Sequence, residues 1–257
     1  MSQGCICYLV RHTPKDVQDL VEGLKQLQKN YLNKFPCPVH VFHEAELTSD
    51  MQAQILGAGV DLALHLIVFK APLHVDKLAP RALGYRHMCR FFSDAIFWQP
   101  AVRQTRYYMR LDTDSRTPYP INYDLFEHMA KHDYKYGYIA TLVDKPQYYQ
   151  GLWSLVSRYL ETKEPTLVPI NSIQEGKCYY TNFEICESAW FRAEAWVSYF
   201  ECIDNDGGIY RHRWGDHTIR YLGVNLFMPA KHIHQFTDVP YVHHKAYNMS
   251  HGTPKRG

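Results

Sequence analysis

No stretch of this chain approaches the roughly 18–20 consecutive apolar residues that cross a bilayer. The longest apolar run, over 60–68, is interrupted by Asp61 and His65. The first residues, Met1-Ser2-Gln3-Gly4, carry neither a basic segment nor a long apolar one, so no signal peptide is read there. Paired C-x-x-C sets are missing, and the seven cysteines (Cys5, Cys7, Cys37, Cys89, Cys178, Cys186, Cys202) are odd in number. That pattern fits neither a disulfide framework nor a Cys-rich zinc site, and it favours a reducing compartment. A net charge of only +2 lacks the basic excess of a nucleic-acid binder. There is no internal repeat and no low-complexity segment; only 253–257 reads as a disordered tail.

What is present is a globular composition. With 46% hydrophobic and 21% charged residues over 257 positions, the chain can bury one large core or two small ones. Cys5-Ile6-Cys7 alternates like a strand, so both thiols face one side and read as core thiols. The unusual counts are 20 Tyr and 15 His. Tyr offers a flat apolar face and a hydroxyl, which suits sugar rings and bases, although half-buried packing is its commoner use.

Periodicity predicts the start of an α/β parallel sheet. A strand over 5–11 precedes a helix over 16–32, where Val17, Leu20, Val21, Leu24, Leu27 and Tyr31 recur at helical spacing. A short strand over 39–42, a helix over 51–56 capped from Thr48-Ser49-Asp50, and a strand over 64–69 follow. Further helices are expected over 85–97, 123–132, 152–160, 188–200 and 217–227, with strands over 107–111 and 136–141. The polar stretch 161–176 reads as a surface excursion.

Asp112-Thr113-Asp114 follows the apolar-aromatic strand Tyr107-Tyr108-Met109-Arg110-Leu111. In open α/β sheets ligands bind beyond the carboxyl ends of strands. Two carboxylates there can hold Mg²⁺ or Mn²⁺, with a diphosphate in the same shell. The competing reading is a polar strand exit, supported by Pro118 and Pro120. Glu184 lies among Phe183, Ile185, Trp190 and Phe191, so it is either paired, with Arg192 a candidate, or functional. Arg211 and Arg213 could meet phosphate or carboxylate, and Asp216 could cap the next helix. Arg86 and Arg90 share a helix face at i,i+4. His243 or His244 could add a nitrogen ligand, which suits Mn²⁺ better than Mg²⁺.

Together these segments resemble the fungal α-1,2-mannosyltransferases of the Kre2/Mnt1 type, glycosyltransferase family 15. The strings that carry the resemblance are Tyr85-Arg86-His87-Met88-Cys89-Arg90, Asn122-Tyr123-Asp124-Leu125-Phe126, Asn182-Phe183-Glu184-Ile185, Phe191-Arg192-Ala193-Glu194-Ala195, Gly207-Gly208, Arg213-Trp214-Gly215-Asp216 and Ile233-His234, in the family's order. The resemblance implies an α/β GT-A glycosyltransferase fold in one domain over 1–257, a Rossmann-like half over about 5–120 and an acceptor and catalytic half over about 121–245. It implies a retaining mannosyltransferase that uses GDP-mannose and Mn²⁺, with Mg²⁺ as the alternative metal. The metal ligands fall on Asp112, Asp114 and His243, nucleotide contacts on Arg11, Arg86, Asp112 and Asp114, and active-site positions on Glu184, Asp216 and Tyr85. Glu184 takes the place of the proposed nucleophile. Two departures stand out: Asp112 replaces the family's Glu, and Pro240 precedes Tyr241 where the family has Gly.

The expected partners are a nucleotide sugar and a glycan acceptor, with no nucleic acid and no membrane span. The family's anchor and stem are not seen here, and the Met1 start and odd cysteine count point to a cytoplasmic, virus-encoded enzyme. The Golgi lumen is the alternative if the chain is trimmed. Rival readings are another nucleotide sugar, a silent sugar-binding protein of the same fold, and a D-x-D-x-T phosphatase, against which Arg116 stands at the fifth position.

Overall fold

The computed structural model describes residues 3–70, 80–162, 167–243 and 247–248. Its strands are β1 (Gly4–Val10), β2 (Val39–His43), β3 (Leu62–Leu66), β4 (Tyr107–Leu111), β5 (Ser115–Arg116), β6 (Tyr136–Tyr138), β7 (Thr141–Val143), β8 (Lys177–Tyr179), β9 (Phe183–Glu187), β10 (Ile233–Gln235), β11 (Val242–His243) and β12 (Tyr247–Asn248). The α-helices are α1 (Pro14–Leu27), α2 (Ser49–Leu56), α3 (Pro80–Ser93), α4 (Pro100–Arg103), α5 (Leu125–Lys131), α6 (Leu152–Leu160), α7 (Glu194–Asp206), α8 (Gly208–Arg211) and α9 (Asp216–Phe227).

A seven-stranded sheet runs β10-β6-β9-β4-β1-β2-β3. β1, β2, β3 and β4 are mutually parallel, while β9 runs antiparallel to both β4 and β6. Alternation along the strands decides which side chains meet which layer of helices. Ile6, Tyr8 and Val10 of β1 and Met109 and Leu111 of β4 join Val17, Leu20 and Leu24 of α1 in one apolar layer. Cys5 and Cys7 face the other layer with Phe92 of α3, Trp196 of α7 and Leu222 of α9. The two thiols are therefore core residues, and all seven cysteines are free.

Local signals explain the element starts. Thr13 accepts from the Asp16 N–H ahead of Pro14, Thr48 accepts from Met51, and Asp124 accepts from Phe126 and Glu127. Gly23 lets α1 approach the site: a Cβ there would stand 2.8 Å from the Ser115 carbonyl oxygen. Several expected elements change shape. β3 begins two residues earlier than its apolar run suggests. The expected 136–141 strand breaks at Ile139 and Ala140, because β6 pairs with β9 while β7 leaves to pair with β8. The expected helix 188–200 is a 3-10 turn, then α7, with Ala193 extended between them. The tail 253–257 lies outside the described residues. No described helix is long and apolar enough to cross a membrane.

Two histidines are held neutral by the fold. Burial, and then His65 at 3.0 Å, push His40 down to about 4. Burial, and then the neighbouring His128, push His234 down to about 4. Unfolding returns both toward their ordinary value of 6.5, so below that pH the unfolded chain binds more protons than the native one. We expect the urea midpoint to fall as the pH drops from 6.5 toward 4, and a His40→Gln/His234→Gln chain to show a flatter dependence.

Candidate active site

β4 delivers Asp112 to its carboxyl end, where the Asp112 N–H donates to the Asn182 carbonyl at 3.2 Å and the Ser115 N–H returns to the Asp112 carbonyl at 3.0 Å. That turn leads into β5, which pairs antiparallel with β11 and sets His243 opposite Ser115. Tyr241 locks the junction: its hydroxyl meets Ser115 Oγ at 2.7 Å and donates toward the Asn182 carbonyl at 2.9 Å. Ser115 and His243, 128 positions apart in sequence, thus share one corner. His243 Nε2 lies 2.9 Å from Asp114 Oδ1 and 3.7 Å from Asp112 Oδ2. Its Nδ1 is engaged by Tyr180 at 2.8 Å and Asn182 at 3.0 Å, so the ring is oriented with Nε2 toward the carboxylates. His244 lies outside the described residues.

Among the described residues, no three His, Cys, Asp or Glu groups already form a cage around one point. The three groups pair with one another instead. Two ligands each about 2.1 Å from an octahedral ion stand about 3 Å apart. The observed separations are close to that, so small side-chain rotations would turn all three toward one ion. Two hard carboxylates and one imidazole suit Mn²⁺ better than Mg²⁺.

Behind this corner lies a buried charge network. Arg110 and Glu184 are directly opposed in the β4–β9 register, on the same face of the sheet. Asp216 and Arg220 stand at i,i+4 on α9, one turn apart. The pairs cross between layers. Arg110 Nη1 donates to Asp216 Oδ2 at 2.6 Å, and Arg220 Nε donates to Glu184 Oε2 at 3.0 Å. Arg110 Nε also donates to Asp112 Oδ1 at 3.0 Å, which ties the network to the acidic corner. Thr181 donates to Asp216 Oδ2 at 2.8 Å. Burial pushes the Asp216 carboxyl up, but Arg110, His217 and Thr181 outweigh it and hold it below the usual carboxylate range.

Glu184 has 0% exposure. Tyr108 and Tyr136 donate to its two oxygens at 2.6 and 3.1 Å, and Arg220 reaches both. The partner expected from sequence, Arg192, instead donates to the Phe97 carbonyl at 3.2 Å. Glu184, expected as the attacking group, thus has no exposed surface and both oxygens engaged.

The other expected site residues spread over the same edge. Tyr85 stacks under the Arg213 guanidinium at 4.2 Å, and burial raises its hydroxyl pKa strongly. Asp216 opens α9, yet its side chain goes to Arg110 and Thr181; Gly215 is the N-cap. Arg86 Nε donates to the Tyr210 carbonyl at 2.9 Å. Arg90, its expected partner in a phosphate-binding face, makes a two-pronged pair with Asp204 at 2.6 and 2.7 Å. Arg11 lies at the end of β1, paired with Asp16 at 2.8 Å, its side chain 76% exposed. Sequence reasoning passed over Arg110, Arg220, Tyr180 and Thr181. A cation inside the otherwise apolar run 107–111 is the signal that could have found Arg110.

A sheet of this topology with an acidic turn beyond a central strand defines a glycosyltransferase of GT-A-like fold. The whole chain aligns with core-mannan synthase A (CmsA/Ktr4) of Aspergillus fumigatus in its Mn/GDP form, with a TM-score of 0.87 and 22% identity, covering 78% of that chain. It also aligns over its whole length with the mannosyltransferase Ktr4p of S. cerevisiae in complex with GDP, with a TM-score of 0.83 and 26% identity, covering 73% of that chain. The family of glycolipid 2-alpha-mannosyltransferases matches residues 74–254, and the chain belongs to it. Among curated relatives, the probable mannosyltransferase KTR4 of Saccharomyces cerevisiae is 27% identical over 96% of this chain. The chain spans only 61% of that relative's length.

These comparisons correct the expected location. The curated relatives are fungal mannosyltransferases of the secretory pathway, and a cytoplasmic, virus-encoded enzyme is not supported. The inference failed because free thiols were read as a compartment signal. Five of the seven are buried, and a buried thiol is a small apolar side chain with little access to an oxidant.

Removing one partner of the Glu184–Arg220 pair leaves a buried charge unpaired. We expect Arg220→Met to cost about 3–5 kcal/mol in urea unfolding, and Arg220→Met/Glu184→Leu to cost clearly less. A double-variant cost equal to the sum of the costs of Arg220→Met and Glu184→Leu alone would show that the pair is not coupled.

Proposed function

We propose that the chain is a metal-dependent retaining mannosyltransferase that moves mannose from GDP-mannose to a sugar hydroxyl in α-1,2 linkage. The observation that carries this reading is the convergence of Asp112, Asp114 and His243 on one corner, tied through Arg110 to ionised Asp216. Membership of the 2-alpha-mannosyltransferase family supports the reaction class. The Mn/GDP and GDP forms of the two aligned structures support the donor and the metal.

Asp112, Asp114 and His243 would hold Mn²⁺, which supplies Lewis-acid stabilisation of the departing diphosphate. Arg110 keeps Asp216 ionised and holds Asp112 in place, so little reorganisation is needed when charge develops. Arg11 and Arg86, on the same edge, are proposed to meet the nucleotide. Asp216 and Tyr85 are proposed to line the reacting sugar.

Two routes to retention exist, one through a carboxylate nucleophile and one by front-face transfer. The burial of Glu184 favours the second. There the acceptor hydroxyl approaches from the side of the leaving diphosphate and gives its proton to a phosphate oxygen as the sugar–phosphate bond breaks. Glu184 then acts at a distance, as the counter-charge of Arg220.

Asp112→Ala should abolish Mn²⁺-dependent GDP binding measured by calorimetry, and undiminished binding would remove Asp112 from the metal site. Asp216→Asn should lower kcat by about 10²-fold or more while GDP affinity stays within a few-fold. Glu184→Gln separates the two routes. It should lower the melting temperature with residual transfer in the folded protein, whereas complete loss of transfer at an unchanged melting temperature would reinstate Glu184 as the attacking group.

A further inference from the structure

Arg116 ends the string Asp112-Thr113-Asp114-Ser115-Arg116 and stands opposite Val242 in the β5–β11 pairing. Its guanidinium faces two ways. Nη1 donates to the Ser115 carbonyl at 3.0 Å and to the Thr113 carbonyl at 3.3 Å, the two carbonyls that flank Asp114. Nη2 donates to Asp19 Oδ1 at 3.2 Å and to Glu22 Oε2 at 3.3 Å, both on α1. One nitrogen thus grips the acidic turn while the other is anchored to the helix. A planar fork of N–H donors can make both sets of bonds at once, whereas a lysine ammonium is a point charge on a flexible stem.

The helix comes this close because position 23 is glycine. A Cβ there would stand 2.8 Å from the Ser115 carbonyl oxygen, 3.3 Å from Arg116 Nη1 and 3.6 Å from the Thr113 carbonyl oxygen. Glycine is unfavourable inside a helix relative to alanine, and Gly23 lies in the interior of α1. What the residue permits is the approach of α1 to the turn. Charge is balanced at the same place. An unpaired arginine beside a site for a divalent cation would repel the ion. Here Asp19 and Glu22 pair with Arg116, and Lys15 pairs with Asp19. Two cations and two carboxylates cancel, so the turn is gripped without a net positive charge beside it.

An aspartate has a single methylene, so its oxygens fall where the backbone puts them. Asp114 Oδ1 stands 2.9 Å from His243 Nε2. The pairing of Ser115 with His243 holds the turn from the β11 side, and Arg116 holds it from the α1 side. We infer that Arg116 is a positioning residue for the divalent cation: through the carbonyls of Thr113 and Ser115 it fixes, from α1, the direction in which Asp114 meets the ion. The inference rests on the metal-dependent reading above and adds the groups that set the geometry of one ligand.

The test uses Mn²⁺ alone as the probe, without nucleotide, on the full chain. Free Mn²⁺ is followed by electron paramagnetic resonance in the wild type, Arg116→Gln, Arg116→Lys and Gly23→Ala, and each melting temperature is measured without metal. Loss of a group that orients a metal ligand typically weakens the metal by about 10-fold or more, and that loss is expected in all three variants. Alanine favours the helix, so Gly23→Ala should stay folded and separate metal affinity from stability. Asp19→Asn/Glu22→Gln should also weaken Mn²⁺, by freeing the charge of Arg116. Added salt should restore much of that loss, because it screens charge, and should not restore the loss in Arg116→Gln. Wild-type Mn²⁺ affinity in Arg116→Lys or in Gly23→Ala overturns the inference and leaves the transferase reading standing. So does a rise in affinity in Arg116→Gln, which would make the arginine a mere repelling charge. Loss of affinity confined to variants unfolded at the assay temperature overturns it as well. A wild type that binds no Mn²⁺ sinks both this inference and the metal-dependent reading.

Discussion

The crossed pair of ion pairs, Arg110–Asp216 and Arg220–Glu184, is the constraint on which the rest of the structure depends. Four charged side chains lie between the sheet and α9, each at 2% exposure or less. Burying any one alone would cost several kcal/mol. Together they neutralise each other. Their geometry follows from two periodicities: the cross-strand register that opposes Arg110 to Glu184, and the helical turn that separates Asp216 from Arg220. The rings of Phe97, Phe191 and Trp196 close over the Arg220 guanidinium within 4.5–4.9 Å, and Phe92 lies 3.7 Å from that of Arg110.

This arrangement joins scaffold to chemistry. Arg110 belongs to both: one end of its guanidinium is sealed against Asp216, and its Nε holds Asp112 at the acidic corner. The position of Asp112 is therefore set by a buried network rather than by a surface turn. His243 is held as firmly from the other side, through Tyr180, Asn182 and the β5–β11 pairing. Beyond Asp216, the same edge continues into the stacked Tyr85, Arg213 and Tyr148. Along this edge Arg110 bridges the two carboxylates Asp112 and Asp216.

Much of the fold was legible in the sequence. The alternation of Cys5-Ile6-Cys7, the helical spacing from Val17 to Leu27, and the cap from Thr48 all act locally, and each led to its element. Failures came where pairing partners decide. The chain around Ile139 and Ala140 reads as one strand by propensity, but it divides because its two ends find different neighbours. Arg192 seemed the natural partner of Glu184 by proximity in sequence, while the true partner is 36 positions away, across the sheet–helix interface. The thiols misled for a similar reason: a count of cysteines carries no information on burial.

By itself the sequence determined the element types, the acidic turn after β4 and, through its strings, the family. These depend on residues adjacent in the chain or on motifs that survive as words. Only the tertiary structure decided which carboxylate reaches the surface. Asp112 and Glu184 are both acidic residues at the centre of the sheet, yet one lies beyond the end of β4 with 31% of its side chain exposed and the other has none. The physical reason is that burial and ion pairing are set by what packs on a strand from elsewhere in the chain, and α9 brings Arg220 to Glu184 while leaving Asp112 at the open edge.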